Sequence, residues 1–377
     1  MLEKEREKMK AKTLSLSGFR NIERADLSFS PEITFLLGDN AQGKTNVLEA
    51  LYLFARGKSF RGALDKEMTG FSRDGYALSL TYEKEDREES LFVSVFGREK
   101  TRKKNGILLE KRSELVGNFR AVMFSPDDLQ MVKGAPSERR RFLDIAIAQC
   151  YPVYISVYAR YQKNLEERNA LLKAMQKGFF FDEEMLSVYS EKLSILSAEI
   201  YLYRRAYVEK LKERAKDVVN DLSSGREFLS LVYRSDMDGI EDIDKENITE
   251  RYRQVFTANL AKERAAGVTL YGIHRDDLLI YLGGISAKDF GSQGQQRSAV
   301  LALKMAEGIV SGEICGERPV YLFDDVLSEL DEGRRRFLLS GMRGCQFIVT
   351  GCDEGVLGEI SSGVKVIRVK NGSFTEA

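Results

Sequence analysis

The chain has 377 residues, 43% of them hydrophobic, which is enough for two or three domains or for one domain with a large insertion. Its 58 basic and 58 acidic residues give zero net charge, so nucleic acid could be bound only through a local basic patch. The first ten residues are mostly charged, and no apolar run approaches the ~20 residues of a membrane helix. We expect a soluble, cytoplasmic protein without a membrane partner.

Cysteine and histidine are scarce. None of the four cysteines, Cys150, Cys315, Cys345 and Cys352, forms a C-x-x-C pair, which argues against a zinc ribbon or a thioredoxin-like site. The single histidine, His274, excludes a metal site built from several histidines.

The predicted elements change character along the chain. Apolar and polar residues alternate over 76–82 and 91–96, which predicts antiparallel strands, and Asn105-Gly106 is a strong hairpin turn signal. Later segments predict helices over 138–216 and 246–266, strands over 268–271, 278–282, 320–323, 347–350 and 365–369, and an ambiguous stretch at 229–233. The layout indicates an α/β nucleotide-binding lobe formed by 11–125 and 314–377, with a mostly helical lobe, 126–313, inserted between them.

Residues 38–45 read GDNAQGKT and fit the phosphate-binding P-loop, G-x-x-x-x-G-K-[ST]. The apolar run 33–37 predicts the strand that leads in, and an apolar helical face follows. The glycines let backbone N–H groups point at phosphate oxygens, the lysine reaches the β- and γ-phosphates, and the threonine hydroxyl holds Mg²⁺. The predicted ATP contacts here are Gly38, Asp39, Asn40, Ala41, Gln42, Gly43, Lys44 and Thr45.

A second apolar run, 320–323, ends in the acidic pair Asp324-Asp325. After a P-loop, such a strand end is expected to hold Mg²⁺ through Asp324. Asp325 is then placed to orient or deprotonate the attacking water. Because Asp is one methylene shorter than Glu and reaches the water less directly, we expect slow hydrolysis of ATP.

The segment 291–297, GSQGQQR, has two interpretations. Ser292 with Gln295 fits a capping box, which would only start a helix. The same helix N-terminus could instead bind an anion, namely the γ-phosphate held by a second copy of the protein. Its position between the P-loop and the acidic strand end favours the second interpretation.

The order of these segments resembles the heads of ABC-type ATPases. In that scheme the signature segment is Ser292, Gln293, Gly294 and Gln295, and the D-loop is 328–331, with Ser328 and Asp331 as its candidate functional residues. Within that class, the chain resembles the RecF family of bacterial recombination and repair ATPases through SGFRN, LLGDNAQGKTNVLEALYLFARGKSFR, MFSPDDLQMVKGAPSERRRFLD, GIHRDDL, GSQGQQR and LFDDVLSELD. The resemblance covers about residues 12–369. It departs at Ile273, where such chains often have proline, and in the first ten, mostly charged residues, which look like an extension. ABC-type heads in general normally have a switch histidine after the strand beyond the acidic pair, whereas residues 350–353 here read TGCD, with Cys352 in place of a histidine.

The resemblance implies an α/β fold, an ABC-type P-loop ATPase head with an inserted, mostly helical lobe, that uses ATP and Mg²⁺. It implies an ATP-dependent homodimer that closes on single- and double-stranded DNA and on gap junctions, with hydrolysis opening the dimer again. It further implies RecR and RecO as partners, promotion of RecA loading in DNA repair and recombination, and links to replication and the SOS response.

Several basic residues are candidate phosphate contacts. By resemblance to related heads, Arg20 is expected to approach the nucleotide. Charge runs are usually solvated, but in a neutral protein of this kind the run on the predicted hairpin arm provides the leading DNA contacts, Lys100, Arg102, Lys103 and Lys104. A second cluster, 139–141, could contact DNA or pair with acidic residues of its own lobe. His274 could be a structural hydrogen-bonding residue or a phosphate contact.

Two alternatives from other functional classes remain open. The energising subunit of a membrane transporter should co-purify with membrane subunits. An SMC-type structural tether needs a far longer coiled coil than this chain offers.

Overall fold

The computed structural model describes residues 8–178, 183–237, 239, 244–341, 344–352, 355 and 363–376. Within these ranges the strands are β1 (Lys10–Phe19), β2 (Ile22–Ser28), β3 (Ile33–Leu37), β4 (Gly75–Lys84), β5 (Arg87–Phe96), β6 (Glu99–Lys104), β7 (Ile107–Leu108), β8 (Ala121–Phe124), β9 (Leu229–Arg234), β10 (Asp277–Leu282), β11 (Ile285–Ser286), β12 (Val320–Asp324), β13 (Phe347–Gly351), β14 (Val364–Lys370) and β15 (Ser373–Glu376).

The α-helices in the same ranges are α1 (Lys44–Arg56), α2 (Asp65–Met68), α3 (Gln130–Lys133), α4 (Pro136–Cys150), α5 (Val153–Gln176), α6 (Glu183–Ser223), α7 (Lys245–Ala266), α8 (Ala287–Phe290), α9 (Gln293–Cys315) and α10 (Glu332–Gly341). Short 3₁₀ turns occupy Arg112–Leu115, Pro126–Leu129 and Leu327–Glu329.

The chain divides into two compact units. The first comprises Met1–Leu129, Arg214–Glu227 and Gln293–Ala377, and the second comprises Gln130–Glu213 and Phe228–Ser292. This division differs from the expected lobes 11–125, 126–313 and 314–377. Helix α9 packs against β8 and belongs to the first unit, not to the helical lobe. Most of its residues are buried there, so the boundary precedes this helix.

Two sheets form the frame of the first unit. One has the order β15-β14-β3-β13-β12-β8, in which every neighbouring pair is parallel except β14 with the edge strand β15. The other is antiparallel, with the order β2-β1-β4-β5-β6-β7. Helix α1 contacts both sheets and is buried on nearly all sides, which explains why its sequence is apolar around most of its circumference.

The second unit is mostly helical, as predicted, and has a small antiparallel sheet with the order β11-β10-β9. Its core contains buried ion pairs. Arg168 pairs with Glu263 at 2.7 Å, and Arg204 pairs with Asp144 at 2.9 Å. Because a buried charge without a partner is costly, these pairs have to form together with the core that encloses them.

The local predictions of strands have mixed outcomes. The hairpin at Asn105-Gly106 is confirmed between β6 and β7, and the ambiguous stretch 229–233 lies in β9. The strand predicted over 268–271 is wrong. There, side chains take the backbone donors: Asn169 Oδ1 accepts from the Thr269 N–H at 2.7 Å, and Glu263 Oε1 accepts from the Leu270 N–H at 2.9 Å.

None of the helices in the described ranges is both long enough and apolar enough to cross a bilayer.

Candidate functional site

The P-loop connects β3 to α1 at the centre of the parallel sheet. Its tight path needs glycine at two places. A Cβ atom at Gly38 would lie 2.2 Å from the Val369 carbonyl oxygen, and Gly43 has a φ of 115°, which disfavours other residues. Gly43 directly precedes the first turn of α1, so the loop ends at a helix N-terminus, where backbone N–H groups favour an anion.

Segments from both ends of the chain support the P-loop from behind. The turn between β14 and β15 meets Gln42, whose Oε1 accepts the Asn371 N–H at 2.5 Å and whose carbonyl accepts the Gly372 N–H at 3.0 Å. Asn21, which follows β1, accepts a hydrogen bond from Asn46 Nδ2 at 2.7 Å and lies beside Gly43. The loop is therefore shaped by the fold before any nucleotide is bound.

Lys44 is 95% buried, and its ammonium group lies within the P-loop. It donates to the carbonyl oxygens of Gly38 and Asp39, the second at 3.1 Å. Its Nζ is also 3.1 Å from Cys352 Sγ, and that thiol lies 3.1 Å from Asn40 Oδ1. The ammonium thus occupies the inside of the loop, where phosphate oxygens can replace the carbonyls as its partners.

The acidic end of β12 meets the start of α1. The Thr45 hydroxyl donates to Asp324 Oδ1 at 2.7 Å, and the Thr350 hydroxyl donates to the same oxygen at 2.9 Å. Burial raises the pKa of Asp324 above its usual value, although these hydrogen bonds oppose the shift. A hydroxyl and a carboxylate that both lie beside a phosphate loop are the protein ligands that P-loop ATPases use for Mg²⁺.

Asp325 directly follows Asp324 in the chain and has a strained backbone, with a φ of 53°. Its N–H donates to Thr350 Oγ1 at 2.9 Å. The Ser328 hydroxyl donates to the Asp325 carbonyl at 2.7 Å and contacts its Oδ1 at 3.1 Å. Two neighbouring hydroxyls therefore fix both the backbone and the carboxylate of the predicted catalytic residue, and the D-loop serine is one of them.

The signature segment lies at a helix start, as its sequence predicts. Ser292 is the last residue of the second unit, and Gln293, Gly294 and Gln295 form the first turn of α9. Ser292 and Gln293 are exposed. The role of these residues towards a second copy of the chain remains a prediction.

Arg20 does not extend freely towards the P-loop. Its guanidinium donates to both carboxylate oxygens of Glu49 in α1, at 2.9 and 2.7 Å, and to the Glu67 carbonyl at 2.7 Å. Glu49 is fully buried. A phosphate contact by Arg20 remains a prediction.

The basic run of β6 is split between two faces of its sheet. Lys100, Arg102 and Lys104 lie opposite the buried residues Val95, Val93 and Leu91, whereas Lys103 lies on the other face, opposite Phe92. Two of the four already have carboxylate partners: Lys100 pairs with Asp65, and Lys104 pairs with Glu89 at 3.0 Å. Four basic residues within five positions suggest one continuous patch. Successive residues of a strand face opposite sides of the sheet, however, so the four are divided between two faces.

Two of the three arginines at 139–141 pair with carboxylates of their own unit, which supports the second of the two interpretations. Arg139 is 94% buried and forms a bidentate pair with Asp277, at 2.6 and 3.0 Å. Arg140 donates to the Asp276 carbonyl at 2.7 Å, and Arg141 lies 3.8 Å from Glu138. The buried Arg139 is therefore a structural residue.

His274 also has a structural environment. Tyr161 donates its hydroxyl to Nδ1 at 2.7 Å, and Nε2 donates to the Thr269 carbonyl at 3.1 Å, in the tautomer that satisfies both groups. Burial lowers the pKa of His274 to about 4, so the ring is neutral at physiological pH. This arrangement favours the hydrogen-bonding role over a phosphate contact.

Two residues of the site have no signal in the sequence that marks their role: Thr350 and Cys352. Thr350 lies in β13, and Cys352 directly follows that strand. No local pattern distinguishes them, because their partners are distant in sequence. Cys352 stands out in the sequence only as a place where a switch histidine is lacking, and its neighbour Asp353 lies outside the described residues.

The residues present fit a magnesium nucleotide. The P-loop backbone is held open by glycines where a Cβ would collide, a buried ammonium lies inside it, and a Thr–Asp pair flanks it. Among the described residues, no group of three or more Cys, His, Asp and Glu could hold a metal ion. The Thr45 hydroxyl and the Asp324 carboxylate are oxygen ligands of the kind that suits Mg²⁺, which usually keeps waters and substrate phosphates among its ligands.

Comparisons with known proteins agree with this geometry. The sequence model of the RecF/RecN/SMC N-terminal domain family matches residues 10–375. The chain is 40% identical to the DNA replication and repair protein RecF of an Exiguobacterium species, covering 97% of this chain and 98% of the relative. It is 36% identical to the RecF protein of Bacillus subtilis, covering 98% and 100%.

Solved structures give the same result. The recombination mediator protein RecF in the RecFOR pathway, solved with ATPrS, superimposes with a TM-score of 0.91, 31% identity and coverage of 98% of this chain and 99% of that chain. The Smc head domain of Pyrococcus furiosus has a TM-score of 0.57 at 16% identity, with coverage of 98% and 96%, which shows a shared fold alone. The fold is thus the predicted α/β ABC-type ATPase head with a helical lobe, and the chain belongs to the RecF family.

Proposed function

We propose that this protein is an ATP-dependent DNA-binding switch of recombinational DNA repair and replication. The observation that carries the proposal is the 2.7 Å bond between Thr45 of the P-loop and Asp324 of the acidic strand end. This bond brings the two halves of a Mg²⁺–ATP site together in one compact unit. Relatives across nearly the full chain are named DNA replication and repair proteins, which supports the biological role.

The residues of the loop would bind and orient the triphosphate. Backbone N–H groups of 38–45 would donate to phosphate oxygens, and Lys44 would exchange its bonds to Gly38 and Asp39 for bonds to the β- and γ-phosphates. Thr45 and Asp324 would hold Mg²⁺, which neutralises charge on the β- and γ-oxygens when bound. A similar RecF structure is described with ATP, which supports this nucleotide.

Asp325 would orient the attacking water and accept its proton. Ser328 and Thr350 hold the residue in place, so the carboxylate needs little reorganisation. Its short side chain suits a slow ATPase, in which hydrolysis resets a binding state rather than driving rapid turnover. The rate of ATP hydrolysis would thus set how long the ATP-bound state lasts.

Two copies would close around two nucleotides. In the closed dimer, Ser292, Gln293, Gly294 and Gln295 of one copy would meet the γ-phosphate held by the other, and each D-loop would lie beside that site. The exposed helix start of α9 supports this role, because backbone N–H groups at a helix N-terminus favour an anion. Family membership supports RecR and RecO as partners in the cytoplasm, with RecA loading and the SOS response as the outcome.

Sedimentation velocity tests this proposal. The protein should be mainly monomeric without nucleotide and should dimerise with ATP and Mg²⁺, more strongly when a duplex with a single-strand gap is present. ADP is the matched control, because it fills the P-loop without a γ-phosphate. A sedimentation coefficient that is the same with ATP, with ADP and without nucleotide would refute the switch.

ATP should protect Cys352 from alkylation by a maleimide. The thiol is exposed and lies 3.1 Å from Lys44 Nζ, so a phosphate bound by Lys44 would cover it. The labelling rate of Cys352, divided by its value without ATP, should fall towards 1/(1 + [ATP]/Kd), which is the fraction of the protein without bound nucleotide. Peptide mass spectrometry reads each cysteine separately, and the half-buried Cys150 and Cys315 are internal controls. Undiminished labelling of Cys352 at saturating ATP would place the nucleotide elsewhere.

Replacing Lys100, Arg102, Lys103 and Lys104 by alanine should weaken DNA binding similarly for unrelated sequences. The side chains of Lys100 and Lys104 are 45% and 30% exposed, so solvent reaches both ion pairs and phosphate oxygens can compete with their carboxylates. The slope of log affinity against log salt should fall by ~0.9 for each phosphate that the variant no longer neutralises. Fluorescence anisotropy at several salt concentrations measures both quantities.

Two controls sharpen this experiment. Arg24→Ala, on β2 at the opposite edge of the same sheet, removes a charge whose side chain is 80% exposed and should leave the slope unchanged. ATP binding should persist in the quadruple variant, because β6 lies outside the phosphate loop. An unaltered slope in that variant would show that the β6 arm is only solvated.

A further inference from the structure

Arg334 connects the D-loop to helix α9. Its main-chain N–H donates to Asp331 Oδ1 at 2.9 Å, and its guanidinium pairs with Asp331 Oδ2. The same guanidinium donates through Nε to Ser298 Oγ in α9 at 2.8 Å. One side chain therefore joins two segments that the proposed function assigns to the dimer interface.

Ser298 carries this connection to the first turn of α9. It is 1% exposed, and its hydroxyl donates to the Gly294 carbonyl at 3.1 Å. A Cβ atom at Gly294 would lie in ordinary van der Waals contact with Arg334 Nη2, at 3.4 Å, so the guanidinium packs against the backbone of the signature segment.

The geometry requires an arginine. Its planar group presents Nε and the two Nη atoms in different directions, so it can bind a carboxylate and a hydroxyl on separate elements at once. A lysine has a single nitrogen on a flexible stem and cannot reproduce this fork. The Arg334 N–H and the charge of the side chain lower the pKa of Asp331, which keeps the pair ionised.

We propose that Arg334 is a positioning residue that fixes the signature segment and the D-loop relative to each other, so that both engage the nucleotide of the second copy together. This inference rests on the proposed function. Arg334 belongs to the trans half of each composite site, and its loss should therefore spare the P-loop of its own chain.

Arg334→Ala and Arg334→Lys test the role directly. Both variants should bind ATP with a Kd within about twofold of the wild type, because the P-loop is intact, while ATP-driven dimerisation weakens by about 10- to 100-fold. Arg336→Ala is the matched control in the same helix: its side chain is 68% exposed and pairs with Glu332 at 3.4 Å. The control should dimerise like the wild type. Ser298→Ala should reproduce part of the loss and should not add to Arg334→Ala.

Mixing variants separates positioning in trans from local damage. Arg334→Ala and Lys44→Met should each lack ATPase activity, whereas their heterodimer has one site with a normal P-loop facing a normal signature segment. The mixture should therefore regain hydrolysis at up to one site per dimer. If loss of Arg334 instead damaged Asp325 in its own chain, the mixture would stay inactive, and the inference would be overturned.

The outcomes also separate this inference from the proposed function. Normal dimerisation and hydrolysis by Arg334→Ala, beside a wild type that responds to ATP, would refute only the role of Arg334. A wild type that never dimerises with ATP would refute the proposed function and this inference with it.

Discussion

Replacing Lys44 by methionine should lower ATP affinity by at least about 100-fold, because charge-assisted hydrogen bonds contribute ~1.5–3 kcal/mol each. Lys44 is 95% buried and holds the inside of the P-loop through the Gly38 and Asp39 carbonyls. Methionine keeps an unbranched side chain that ends one atom short of Nζ, and it supplies no donor. The triphosphate would then have to enter a largely buried site without its main cationic partner, and ATP-driven dimerisation should be lost with it.

Calorimetric titration with ATP measures this effect. Lys58→Met is the matched control, since Lys58 is an exposed lysine just beyond α1 in the same unit. Circular dichroism should show that both variants remain folded. Wild-type affinity and dimerisation in Lys44→Met would contradict the assignment of the P-loop.

The sequence is sufficient where a function depends on residues that are close together along the chain. The P-loop combines a strand, a glycine turn and a helix start within 33–56, and the structure has all three. Asp324 and Asp325 are recognisable because an apolar strand ends there. The Asn105-Gly106 hairpin is recognisable because its turn is two residues long. Each of these signals is local, and tertiary packing reinforces it.

Prediction from the sequence is weaker where tertiary structure determines which partner a side chain contacts. In the sequence Arg20 is a candidate nucleotide contact and Arg139 a candidate for DNA or for an acidic partner, and each pairs with a carboxylate that the fold brings from elsewhere, Glu49 and Asp277. The predicted strand at 268–271 is wrong for a similar reason, since side chains rather than a neighbouring strand satisfy its backbone. The position of helix α9 in the first unit follows from packing on β8, which its helical periodicity could not show.

The biological role comes from the resemblance to the RecF family, because neither the sequence motifs nor the geometry of the site indicates it. The ATPase head follows from the motifs, whereas the role in recombinational repair follows from the relatives, which span nearly the whole chain. The alternatives of a transporter subunit and an SMC-type tether gain no support from these relatives.

Replacing Asp325 by asparagine should reduce ATP hydrolysis by about 10²–10⁴-fold, the usual contribution of a general base, while ATP binding is retained. Asparagine has the same shape and tolerates the left-handed backbone, φ 53°, that Asp325 adopts. It can still accept the Ser328 hydroxyl through its side-chain oxygen, so the D-loop should keep this hydrogen bond. What the variant loses is the negative charge that accepts a proton, and the ATP-bound dimer should therefore accumulate on DNA.

Single-turnover hydrolysis, combined with sedimentation in ATP, measures both halves of this expectation. Asp26→Asn, on an exposed strand position, is the control for loss of one carboxylate, because its side chain is 63% exposed. Asp324→Asn should behave differently, since it removes a predicted Mg²⁺ ligand and should weaken Mg²⁺-dependent ATP binding as well as hydrolysis. If Asp325→Asn hydrolyses ATP at the wild-type rate, Asp325 is not the base. If Asp325→Asn neither hydrolyses ATP nor dimerises, the Asp325 carboxylate is needed to bind the nucleotide. The separate roles predicted for Asp324 and Asp325 would then be wrong.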